Sequence, residues 1–149
     1  MLFMNQKMLN IVSKEYLTGN TRIADKIIND IVDNTILKNE CLLYDKDGQI
    51  RKAPISIEWI KENFSDLIGY EVTINELKFD KESFSDINLF YFMYELSNKF
   101  EMKFSKKIVS YISLHESDID IRFHTFRTDE TDWLCNDLDC YDNPIMCKK

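Results

Sequence analysis

Asp118 and Asp120 stand two residues apart in a run that alternates apolar and polar side chains from Ile119 to Arg127. In a strand, residues two apart point to the same face, so both carboxylates share one side. Paired carboxylates are what metal-assisted phosphodiester cleavage and general acid–base work require. Arg122 and His124 continue the same face, and Glu130 follows a few residues later. Asp118, Asp120, His124 and Glu130 are therefore the one set from which a small metal-dependent nuclease or hydrolase could be assembled. The competing reading is plainer. An antiparallel sheet with one face in water needs polar residues at these positions, and alternating Asp and Arg make same-face charge pairs.

Cysteines occur at 41, 135, 140 and 147. The last three are separated by four and then six residues. Zinc sites usually pair cysteines across two to four residues and match that pair with a second one. Cys135, Cys140 and Cys147 with His115 or His124 depart from that pattern and read as free thiols. Asp132, Asp137, Asp139 and Asp142 surround Cys135 and Cys140, and nearby negative charge disfavours a thiolate, so neither reads as a nucleophile. Asp45, Asp47 and Gly48 suggest a calcium loop. Counted from Asp45, however, the sixth and twelfth positions are Ile50 and Ser56, where a glycine and a glutamate are required. Serine-hydrolase, Walker and dinucleotide-binding signatures are absent, and three glycines do not supply a phosphate-cradling loop. On this reading no residue is assigned to catalysis and none to a metal or cofactor.

The strongest local anomaly is one of charge. Residues 128–142 hold Asp129, Glu130, Asp132, Asp137, Asp139 and Asp142 without a single Lys or Arg, and interleave Trp133, Leu134, Leu138 and Tyr141. An acidic rim around aromatic anchors suits the docking of a basic protein. The expected partner surface combines the strand residues Asp120, Arg122 and His124 with Asp129, Glu130, Asp132, Trp133, Asp137, Asp139, Tyr141 and Asp142. Packing offers a simpler role for the aromatics, since large apolar residues belong in cores more often than on surfaces.

The elements that would carry these residues follow from periodicity. Met4, Met8, Leu9, Val12 and Tyr16 give one helix face over 4–17. Thr18, Gly19 and Asn20 break it, and Thr21 is placed to cap a second helix lined by Ile23, Ile27, Ile31 and Ile36. Residues 41–44 and 49–51 flank an Asp47–Gly48 turn and read as a hairpin. Ser56 opens a helix over 57–68, followed by an alternating strand from Tyr70 to Phe79. Ser85 starts a helix whose Leu89, Phe92, Met93, Leu96 and Phe100 mark it as central. Residues 108–115 and 119–127 form a second hairpin, with a helical turn near Trp133 and a last short strand at 144–147. The fold class is α+β: a single domain over 1–149, with helices mainly in the first two-thirds packed on an antiparallel sheet built largely from the C-terminal third.

The whole chain sets the remaining limits. With 26 acids against 19 bases, the formal net charge is −7. General nucleic-acid binding and attraction to anionic membranes both need a basic surface. No apolar run is long enough to cross a membrane and no export leader is evident, so a cytoplasmic location with four reduced thiols is expected. The segment Ile121–Arg127, with Trp133, Leu134, Asp137, Leu138, Asp139, Tyr141, Pro144 and Ile145 after it, resembles the tails of small immunity proteins of bacterial polymorphic toxin systems. The resemblance implies a compact acidic α+β protein that binds a toxin domain and blocks it, without catalysis or cofactor. Carboxylates would then occupy the basic cleft of a nuclease-like toxin. An anti-restriction or anti-CRISPR inhibitor would use the same physics.

Overall fold

A computed structural model describes residues 1–14, 16 and 19–149. Strands β1 (Leu2–Met4), β4 (Leu77–Asp80), β5 (Ile108–Leu114), β6 (Asp118–Thr125) and β7 (Ile145–Lys148) form an antiparallel sheet in the order β1-β7-β5-β6-β4. Strands β2 (Thr35–Lys38) and β3 (Cys41–Tyr44) form a separate hairpin. The helices are α1 (Gln6–Val12), α2 (Thr21–Asp33), α3 (Gln49–Lys52), α4 (Ile57–Phe64), α5 (Leu67–Ile74) and α6 (Leu89–Phe104). The α+β class stands, with the central sheet strands supplied by the C-terminal third and β1 and β4 added at the edges.

The core follows from the β5–β6 hairpin. Ile112 pairs with Ile121 and Ser110 with Phe123, so Ile108, Ile112, Leu114, Ile119, Ile121 and Phe123 share the inner face. Against them lies α6, capped at its start by Asn88, whose side chain accepts from the amide of Tyr91. Its Leu89, Phe92, Met93, Leu96 and Phe100 are fully buried, as the sequence predicts. Helix α2 completes this layer through Ala24, Ile28, Ile31 and Val32. Of the predicted stripe only Ile31 is buried: Ile23 is exposed, Ile27 is half-buried, and Ile36 lies beyond the helix in β2, while Asn20 rather than Thr21 caps the helix.

Three other elements differ from the sequence reading. The first helix is short, Gln6–Val12, and Met4 ends a strand instead; the remainder of the predicted 4–17 helix and the break at 18 reach positions 15, 17 and 18, outside the described residues. The first hairpin turns at Asn39–Glu40, both with positive φ, rather than at Asp47–Gly48. Two consecutive residues of that kind make the turn type whose twist suits paired strands. Gly48, at φ 74°, instead admits the chain to α3, and Asp45 accepts from the amides of Ile50 and Arg51. Finally, the predicted 57–68 helix is two helices. Ser65 interrupts them at φ 66°, and Tyr70 to Ile74 are helical rather than extended.

Helix α5 joins the two β-layers by side chains. Glu71 is wholly buried and accepts from the amides of Leu42 at 2.7 Å and Thr125 at 3.0 Å, from the Thr125 hydroxyl at 2.7 Å, and from Arg127. One turn later, Asn75 accepts from the amide of Tyr44 and donates to the carbonyls of Leu42 and Phe123. Two residues at i and i+4 on one helix therefore satisfy the open edge of β3 and the end of β6 together.

Candidate functional site

The outer face of the sheet, predicted to be wet, is largely covered. The β5 residues Val109 and Tyr111, with Cys147 of β7, form a small apolar cluster, and Leu134 and Leu138 pack on it from the 128–142 segment. This segment leaves β6 at Arg127, crosses the outer face and returns to β7. Asn5 holds its far end: the side chain donates to the carbonyl of Asn143 at 2.8 Å and accepts from the amides of Met8 and Ile145. Asp139 accepts from the amide of Gln6 at 2.7 Å, and Lys7 donates to the carbonyl of Asp142.

The predicted site residues separate into two groups. His124 is 1% exposed, so it is not part of any surface. Its Nδ1 lies 2.8 Å from the carbonyl of Thr125, which can only accept; Nδ1 therefore carries the proton, and Nε2 accepts from the Tyr111 hydroxyl at 2.9 Å. Burial lowers its pKa from 6.5 to about 4. Arg122 donates to the carbonyl of Val72, pairs with Glu76 at 2.6 Å and with Asp120 at 3.3 Å, and places its guanidinium 5.1 Å from the Trp133 ring. Asp120 is mostly hidden beside it, and its Oδ1 has no partner. Glu130 turns inward: its carboxylate accepts from the amides of Ile68 and Leu67, the first residues of α5, where a negative charge suits the helix dipole. These four residues hold the structure together.

Asp129, Asp132, Asp137, Asp139 and Asp142 are exposed, with Trp133 among them at 37% exposure. Trp133 sets its ring edge-on to Tyr111 at 5.1 Å. It is neither core nor free: one side is backed by Tyr111 and Arg122 and the other faces water. Asp132 pairs with Lys149, and Asp137 caps the single turn Leu138–Cys140. That turn lies beyond the helical turn predicted around Trp133. Tyr141 is half-buried, its hydroxyl accepting from the amide of Cys135.

The alternative catalytic set is not brought together. Asp118 opens β6 opposite Asp80, and His124 lies six residues further on, roughly 20 Å along an extended chain. Glu130 is turned to α5, and His124 is sealed beneath Tyr111. Among the described residues, no three His, Cys, Asp or Glu side chains form a group able to hold a metal ion. The thiols differ from one another. Burial pushes Cys41 and Cys147 up to about 12. Cys140 rises to about 11, chiefly through its hydrogen bond with Cys135. Cys135 departs from the expectation that its acidic neighbours would raise it, because hydrogen bonds from Cys140 and Tyr141 lower its pKa.

Sequence reasoning missed Glu71, Asn75 and Asn5. Asn5 also caps α1, a local signal that could have marked it, but Glu71 and Asn75 have none, and all three act through partners more than 25 residues away in the chain.

Fold and surface together define an α+β domain whose sheet is covered on one face by helices and on the other by an acidic, aromatic-bearing strap. A family model matches residues 3–149, and the chain belongs to the Uncharacterized protein PM0498 family. No curated protein and no solved structure matches it. Among the described residues, no helix is long and apolar enough to cross a membrane.

Proposed function

We propose that this protein acts by binding: it is an inhibitor of the immunity-protein kind that docks a basic, nuclease-like toxin domain in the cytoplasm through the 128–142 strap. The observation that carries this reading is that five exposed carboxylates, Asp129, Asp132, Asp137, Asp139 and Asp142, lie on the same strap as the partly exposed Trp133. The strap is tied down at both ends and backed by the sheet. A surface held in one shape loses little freedom on binding. Carboxylates at the rim steer a basic partner inward, and an aromatic seated on a firm base slows its release. Asp120, Arg122, His124 and Glu130 support the strap from beneath and are not contact residues in this proposal.

The test is binding of a basic toxin domain encoded beside this gene, measured by biosensor together with protection of cells that express it. Trp133→Ala is expected to weaken binding by about 2 kcal/mol, mainly by speeding dissociation. Absence of both binding and protection would overturn the proposal. So would turnover of a nucleic-acid substrate by the purified protein that Asp120→Asn abolishes.

A further inference from the structure

Cys135 and Cys140 lie five residues apart in the strap, both exposed. The turn Leu138–Cys140, capped by Asp137, folds the chain back until the two Sγ atoms are 2.8 Å apart. That is closer than two unbonded sulfurs normally approach and within an ångström of an S–S bond of about 2.05 Å. Hydrogen bonds within the loop hold both backbones. The Cys135 amide donates to the Tyr141 hydroxyl at 3.0 Å, and the Cys140 amide donates to the carbonyl of Asp137.

We propose that Cys135 and Cys140 form a reversible disulfide, with a low-molecular-weight disulfide such as oxidised glutathione as the oxidant, and that closing it locks the 135–140 loop within the strap. Cys135 is the attacking thiol. Its pKa is lowered by hydrogen bonds from Cys140 and Tyr141, whereas Cys140 is raised and keeps its proton. The Cys135 thiolate attacks one sulfur of oxidised glutathione; a mixed disulfide forms and one glutathione thiolate leaves. Cys140 then loses its proton and attacks the Cys135 sulfur, expelling the second glutathione. The protein dithiol gives up two electrons and two protons, and two molecules of reduced glutathione carry them away. Cys41 and Cys147 are buried with strongly raised pKa values, so the chemistry is confined to this pair. Cys135 also lines a cavity of about 180 Å³ with Phe3, Leu134, Leu138 and Cys147. A closed disulfide therefore holds the rim of that cavity. The close approach of two exposed thiols stands whatever the strap binds.

The full-length chain is equilibrated in glutathione buffers from fully reduced to fully oxidised, quenched in acid, alkylated after unfolding, and read by intact mass and peptide mapping. The expected result is a loss of two hydrogens that maps to Cys135 and Cys140, with Cys41 and Cys147 still alkylated. C140S is expected to trap glutathione on Cys135, and C135S to form the adduct on Cys140 many-fold more slowly. Amides of residues 136–140 are expected to exchange several-fold more slowly in the oxidised form. Four alkylated thiols at every glutathione ratio would overturn the proposal, as would a two-hydrogen loss that survives in C135S. Both substitutions lie at exposed positions, and a thermal melt of each confirms the fold in which the chemistry is read.

Discussion

His124 is neutral because both of its nitrogens are committed, one to the carbonyl of Thr125 and one to the Tyr111 hydroxyl, in a place water does not reach. Protonation would set a second N–H against a hydroxyl that already donates. Its pKa is depressed in the folded chain, so the unfolded chain binds the proton first. The stability it contributes is complete above its ordinary value near 6.5 and is lost as pH falls toward about 4. Urea denaturation at pH 7 and pH 4.5 should therefore show a loss in the wild type that is smaller in His124→Phe by about 2–3 kcal/mol. Glu71 is the opposite case, a buried acid surrounded by donors. Glu71→Ala leaves Arg127, 10% exposed, without its main partner and orphans two amides. The expected cost is about 3–5 kcal/mol of folding free energy, read from the denaturation midpoint. The sequence draws attention to His124 for the wrong role and does not draw attention to Glu71 at all. His124 sits at a polar position of an alternating strand, and Glu71 sits in what reads as another.

Helix α6 and the β5–β6 hairpin were legible because one face of each is buried and the apolar residues therefore recur at the period of the element. Phe92→Ala tests that layer directly. The side chain, on the buried face of α6, is fully buried against Phe84, and its loss should cost about 3–5 kcal/mol. Helix α5 was not legible, for a physical reason. Leu67, Ile68, Tyr70, Glu71 and Val72 are all buried and only Thr73 is exposed, so the element has too narrow a wet side for a period to be read. Alternation at Tyr70, Val72 and Ile74 then imitated a strand. Sequence pattern places the first hairpin one strand too late because Asp47–Gly48 is a stronger turn signal than Asn39–Glu40. The chain nevertheless turns at the weaker pair, and Glu40 pays for it with φ 63°. Glu40→Gly should accordingly raise stability, by about 0.5–1 kcal/mol, because glycine adopts that conformation without strain and the carbonyl that Arg127 grips is retained. A lower melting temperature in that variant would contradict this account of the turn.

Across the whole molecule, a net charge of −7 is distributed unevenly, with five exposed aspartates on the strap. The acidity of the strap was legible as composition. Which acids were exposed was not, because Glu130 and Asp120 carry the same letters as their neighbours and differ only in being turned inward. Asp129→Lys with Asp142→Lys reverses charge at two exposed positions and spares the structural carboxylates. Association with a basic toxin domain should slow by at least tenfold at low salt, and the difference from wild type should shrink as salt is added. The sheet order carries a further consequence, for synthesis. Strand β7 lies between β1 and β5, so Leu2–Met4 has no sheet neighbour until Ile145–Lys148 has been made. The helices and the β5–β6 hairpin precede β7 in the chain and can assemble first, while β1 waits for it. The sheet closes only once Ile145–Lys148 can pair with both β1 and β5, and that long-range step is the one expected to set the rate of folding.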